Sequence, residues 1–307
     1  MSKVFAQEPL AEFFPPPEMG SEPVRKSLLR AERMNADRMD SYPRGGPDAI
    51  GGVGDWWLSN GVICAVVSDV EHDAGIVRGG GSLVDLGYCD RDDDQWTYAN
   101  LLTGLSKDTA IPVQRVKAEL SAVKAEITTL GQRDGLQQLM RFRLTPDSTA
   151  LEMEVEIRRT ADGAPLRMSG LFTLYSQRSL SPFSYSSYAP SATLGFEHRK
   201  IDRHDTGSLI SGLMPADWNI LVGSEQYPSG ISYGVQLQSA ELIKASGTRL
   251  ALPRFLAVFP DYSLHGWMSR PLWLQSERLN WLSMIQNQFM DLDKNERLLA
   301  RFRIVVG

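Results

Sequence analysis

Two polar clusters carry most of the side chains that could move a proton or hold a cation. The first runs from Asp69 to Asp94, as SDVEHD and then YCDRDDDQW, and contains Asp69, Glu71, His72, Asp73, Asp90, Asp92, Asp93 and Asp94. An imidazole beside a carboxylate is the pairing used for acid/base work near neutral pH, so His72 and Glu71 are candidate catalytic residues. Oxygen-rich runs suit hard cations, which makes Asp90, Asp92 and Asp94 the candidate ligands of a divalent metal. The calcium-loop pattern is not met, because the sixth residue from Asp90 is Gln95 where Gly is required and the twelfth is Leu101 where Glu is required. The competing reading is a set of solvated turn acids with no cation.

The second cluster, GFEHRKIDRHD, supplies Glu197 and His198 as a further acid/base pair and His204 as a ligand contact. On an extended strand His198 and His204 share a face but lie about 20 Å apart, too far for one metal unless the chain bends. A charged loop or sheet edge is the alternative. Arg78 precedes Gly79-Gly80-Gly81, a pairing of guanidinium and bare amides that suits an anion. Trp96, Tyr185 and Tyr188 offer aromatic faces of the kind that stack on sugar C–H groups, with core packing the alternative for the tryptophan. The glycine-rich stretch Gly45 to Gly54 lacks the Lys and Ser/Thr of a phosphate loop, and no GxSxG, HExxH or SxxK motif occurs. No organic cofactor is expected, and a divalent cation is the one inorganic candidate.

The chain that must position these groups has 307 residues, 32 Lys plus Arg against 37 Asp plus Glu, and a net charge of −5, which argues against a nucleic-acid partner. Four His and two Cys leave few ligands for a metal centre built from imidazole or thiolate. Cys64 and Cys89 carry no CxxC spacing and are expected to be reduced. No apolar run reaches the roughly 18 residues of a membrane span and the start shows no export signal, so the expectation is a cytoplasmic protein with no membrane association.

Residues 1–45 read as a Pro-rich arm followed by an amphipathic helix between Glu22 and Met39, and residues 46–307 as one large β-domain. WWLS and VICAVVSD flank Asn60-Gly61, which predicts a hairpin with a type I′ turn. Leu151 to Arg158 alternates apolar and charged residues, the mark of a half-buried strand. Leu139–Leu144 and Ile127–Leu130 read as its neighbours, and Leu166–Tyr175 as the next strand of a meander. Ser179 to Pro190 reads as a long loop, Thr97 to Lys107 as a second helical stretch, and ARFRIVV as a final strand that pairs with a distant one. Many strands and no βαβ alternation predict a mainly β fold, a large antiparallel sandwich with an N-terminal helix and arm.

The stretch GGPDAIGGVGDWWLSNGVICAVVSD, followed by GGGSLVDLGYCDRDDDQW, resembles the N-terminal β-domain of CehA/McbA-type bacterial metallohydrolases, in which a polymerase-and-histidinol-phosphatase (PHP) domain follows. The ending FRIVVG resembles the last strand before that hydrolase domain. The resemblance implies a supersandwich similar to galactose mutarotase and an accessory role beside a PHP-type partner. The PHP domain's HxH ligands have no counterpart in this sequence, so none of its catalytic residues carries over. Two functional expectations follow: a non-catalytic module that binds a ligand such as a carbohydrate or packs on a metallohydrolase, or a sugar epimerase or lyase using a His/Glu pair.

Overall fold

The computed structural model describes residues 28–42, 45–46, 49–74, 78–103, 110–163, 166–168, 171–176, 181–186, 197–200, 218–223, 231–252, 256–258, 264–266 and 290–307. The strands among them are β1 (Arg30–Arg33), β2 (Trp56–Ser59), β3 (Ile63–Val67), β4 (Leu83–Tyr88), β5 (Trp96–Leu102), β6 (Val113–Leu120), β7 (Ala125–Arg133), β8 (Leu136–Leu144), β9 (Ala150–Arg159) and β10 (Leu166–Met168). They continue with β11 (Leu171–Ser176), β12 (Ser181–Ser186), β13 (Glu197–Lys200), β14 (Trp218–Gly223), β15 (Ser232–Ile243), β16 (Arg249–Ala251), β17 (Leu256–Val258), β18 (Leu264–Gly266), β19 (Met290–Leu292) and β20 (Arg297–Val306).

The fold is mainly β, and two antiparallel sheets pack face to face. The smaller has the order β1-β2-β3-β4-β5-β11-β18-β17, and the larger β13-β12-β14-β15-β20-β9-β8-β7-β6, with β16 added beside β15. Alternation explains the packing. In β9, Leu151, Met153, Val155 and Ile157 are buried while Glu152, Glu154 and Glu156 turn away. They meet Leu58, Ile63, Ala65, Leu83, Trp96 and Ala99 of the smaller sheet in one continuous core. On the larger sheet's other face Glu154 lies between Arg141 and Arg301, and Arg143 joins Glu126 to Glu152. Burial disfavours the charged form of Glu126, but Lys124 and Arg143 outweigh it and hold the carboxyl below its usual range.

Several expectations are met in this ladder. β2 and β3 form the hairpin, and β20 pairs with both β9 and β15. The turn differs from type I′, because Gly61 has φ +84° but Asn60 is not left-handed. Asn60 instead accepts from the Val62 and Ile63 amides and donates to Thr145 and Ser148 carbonyls, tying the two sheets together.

Other expectations are corrected. Arg30–Arg33, placed in a helix by propensity, is a strand paired with β2, so the sheet begins inside the expected arm; only Ala36–Ser41 forms a short 3-10 turn. The rest of the expected helix and arm lies outside the described residues. Trp96–Leu102 is a strand, not a helix, because β4 and β11 offer it partners on both sides. The expected strand from Leu166 to Tyr175 divides into β10, paired with β19, and β11, paired with β5. Ser181–Ser186, expected as loop, is β12, laddered between β13 and β14. Cys64 and Cys89 form a disulfide, although reduced thiols were expected. The reason is register: β3 and β4 are neighbours with Cys64 opposite Gly87, which brings Cys89 to a Cα separation of 5.0 Å despite 25 intervening steps of chain. Cysteine usage therefore gives no argument for a reducing compartment. No helix among the described residues is long and apolar enough to cross a membrane.

A second apolar cluster covers the outer face of the smaller sheet. Trp57, Cys64, Val66, Val84 and Tyr98 project outward and are roofed by Met34 and Tyr42. Residues 45–46 and 49–54 form a strap along the same face. It is pinned by Asp85, whose buried carboxylate accepts from the amides of Ile50 and Gly51.

Candidate functional site

The end of the smaller sheet where β2 begins and β3 finishes gathers a connected set of polar side chains. Asp55, the residue before β2, is buried, and its carboxylate accepts from the Gly52 amide at 2.8 Å and the Asp69 amide at 2.9 Å. His72 Nδ1 lies 2.8 Å from Asp55 Oδ2. The His72 side chain is 32% exposed and that of Asp55 only 4%, so a hidden carboxylate orients an imidazole that reaches the surface. In the neutral ring the proton sits on Nδ1, donated to Asp55, and Nε2 keeps its lone pair. Nε2 makes no hydrogen bond within the described residues.

Asp69 occupies the next position. Its Oδ1 accepts from the Trp56 indole N–H at 2.9 Å, and its Oδ2 meets the Arg33 guanidinium at 2.5 Å. Arg33 also donates from Nε to the Gly54 carbonyl, so its guanidinium is held along one edge, through Nε and Nη2. Trp56 is partly exposed at this rim, with its inner edge against the main core. The turn is shaped by its backbone: the His72 amide donates to the Asp69 carbonyl, and Gly80, with φ +70°, approaches so closely that a Cβ there would sit 2.0 Å from that same carbonyl oxygen.

This rim contains His72 and, exposed beside it, Glu71. Arg78 is also exposed on the connection that returns to β4. Other candidates fall elsewhere. Trp96, expected at a ligand, is fully buried between the sheets, donates to the Leu83 carbonyl and stands edge-on to Tyr233, so it is a core residue. Its neighbours in sequence are polar, which hid its inward orientation.

Asp90 and Asp92 are exposed, whereas Asp94 is buried and accepts from the Leu86 and Trp96 amides. The three expected metal ligands are thus parted by the turn. No group of three His, Cys, Asp or Glu among the described residues is arranged to hold a metal ion. Asp93 is buried with one oxygen lacking a hydrogen-bond partner; burial pushes its carboxyl up from the usual 3.8, against the pull of the Tyr88 amide and Arg91.

Glu197 and His198 lie on β13, at the far edge of the larger sheet, where His198 pairs in register with Tyr185 of β12. Their side chains, Tyr188 and His204 fall outside the described residues. β2, preceded directly by Asp55, which holds His72, packs over β7 and β8; β8 is six strand steps from β13, about 29 Å along the sheet at a typical strand spacing, and β7 is one step further. The ladder does not bring His72 and His198 together. Asp55 and Asp69 are the residues that sequence reasoning missed as orienting groups. Asp55 gave no signal beyond being the acid before a strand, and its partners are 14 and 17 residues away.

No family model matches the chain, and no curated protein matches it. Solved structures with a similar course include a galactose mutarotase related enzyme from Lactobacillus acidophilus, at 9% identity and a TM-score of 0.44, covering 82% of this chain and 97% of that one. A putative aldose 1-epimerase from Escherichia coli K12 aligns at 11% identity and a TM-score of 0.43, over 83% of this chain and 99% of that one. The GH36 alpha-galactosidase AgaB from Geobacillus stearothermophilus aligns at 8% identity and a TM-score of 0.47, over 82% of this chain but 40% of its own length. No residue, ligand or activity is carried across from them.

Proposed function

We propose that this chain is a ligand-binding β-sandwich module whose contact surface is the rim of Arg33, Trp56, Asp69 and His72, and whose ligand is a carbohydrate or another polyhydroxylated molecule. The observation that carries this reading is the Asp55–His72 pair, in which a buried carboxylate fixes a half-buried imidazole that reaches the surface and leaves Nε2 to accept from a ligand hydroxyl. Beside it, Asp69 and Arg33 supply an acceptor and a donor, and the Trp56 indole supplies an apolar face for sugar C–H groups. Titration of the purified chain against a glycan panel tests it. The expected result is saturable binding to at least one glycan that His72→Ala weakens about tenfold, the worth of one hydrogen bond to a partly buried group. Absence of binding across the panel, or binding indifferent to His72→Ala, contradicts it.

The same pair favours a second reading, a sugar epimerase or lyase in which His72 is the base. Catalysed anomer interconversion or elimination that disappears in His72→Ala would support that reading over a binding module. The resemblance to CehA/McbA-type metallohydrolases adds a role beside a PHP-type hydrolase, for which co-purification of the two proteins is the test.

A further inference from the structure

The two large sheets have four end strands among the described residues, β16 beside β15 aside, and they are unequal. β1, β13 and β17 are edges of three or four residues, whereas β6 runs for eight and ladders only with β7; its first residue, Val113, donates to the Gly79 carbonyl, and the edge is open from Gln114 onward among the described residues. A long edge with bare N–H and C=O groups is a template for another strand. The side chains of β6 also sort by face. Arg115, Lys117 and Glu119 are exposed on the outer face, while Val116 and Ala118 are partly buried and Leu120, on their face, is 59% exposed. Val123, at the tip of the β6–β7 hairpin, is 69% exposed.

We propose that β6 is the surface through which two copies of this chain join, antiparallel about a two-fold axis at Ala118. The sequence complements itself in that register. Lys117 falls opposite Glu119 of the partner subunit, and Glu119 opposite the partner's Lys117, so the ion pair that Lys117 makes with Glu119 within each strand is exchanged, two for two, for pairs across the interface that fix the register. On the inner face Val116 meets Leu120 of the partner subunit, and Ala118, the smallest of the set, meets its own copy on the axis. Shifting the axis by one residue to Lys117 sets Arg115 opposite Glu119 of the partner subunit but places Lys117 against its own charge, a repulsion that the axis at Ala118 avoids. An isologous contact of this kind closes at two copies and unites the larger sheets of both.

Light scattering with size-exclusion chromatography on the full chain tests the inference, with circular dichroism as the check on folding. The expected result is a dimer that Lys117→Glu converts to monomer, since four acids then face one another, and that Lys117→Glu with Glu119→Lys restores. Both side chains are exposed, so the melting temperature of the monomeric variant should follow that of the wild type at low protein concentration. A wild-type chain that stays monomeric at its highest soluble concentration, or a dimer that Lys117→Glu leaves intact, overturns it.

Discussion

Asp55 and Asp85 are the same residue type, both are buried, and both hold the glycine-rich segment at residues 50–52, yet their outer connections differ. The Asp85 bonds from Ile50 and Gly51 are to backbone amides of the strap. Asp55 accepts from Gly52 and Asp69 amides and then from His72, a side chain that reaches the surface. A buried carboxylate engaged by amides is a fastener. One whose last bond goes to an imidazole that reaches the surface also sets that ring's tautomer and direction. The difference sets the Asp85 end of the smaller sheet, where a carboxylate fastens backbone, apart from the Asp55 end, where the proposed function places the ligand.

The largest effect is expected where the fastener is removed. Asp85→Ala leaves buried amides without an acceptor and should cost about 3 kcal/mol in denaturant unfolding, while glycan binding by the folded fraction stays unchanged. Gly51→Ala attacks the same contact from the other side, because its Cβ would lie 2.5 Å from Asp85 Oδ2 and 2.7 Å from Val66 Cγ1; a loss of about 2 kcal/mol is expected in the same assay. At the rim the pattern should invert. Asp55→Asn keeps the shape and should cost about 1 kcal/mol of stability but about tenfold in glycan affinity, read by calorimetric titration. Equal binding losses from Asp85→Ala and Asp55→Asn would erase the distinction.

The smallest effect concerns Asp93, another buried acid, which accepts from the Tyr88 amide through one oxygen while the other has no hydrogen-bond partner. Its folded-state pKa is raised by burial, so the charged form is penalised in the folded protein and stability falls as pH rises from the unfolded value near 3.8 through the folded one. Asp93→Asn should therefore gain a few tenths of a kcal/mol at neutral pH and lose that advantage at pH values below the unfolded pKa, as thermal unfolding across pH would report.

The sheet-forming half of this picture was legible in the residues. Leu151 to Arg158 and Ala300 to Val306 alternate cleanly because one face of the larger sheet is core and the other is solvent. Arg30 to Arg33 misled because its helix propensity is overridden by the free edge of β2. The disulfide was hidden for a related reason, since the register of β3 on β4 decides which distant residues become neighbours. His72 was visible as a titratable group among acids, but its orienting partner is Asp55, reached across a hairpin, and not the adjacent Glu71.

The measurement closest to the central claim is an NMR titration of the His72 imidazole with whichever glycan of the panel binds. The account predicts that the Nε2 resonance of His72 shifts in step with saturation and that Asp55→Asn weakens the response. A His72 ring that stays unperturbed while the glycan saturates the protein would contradict it.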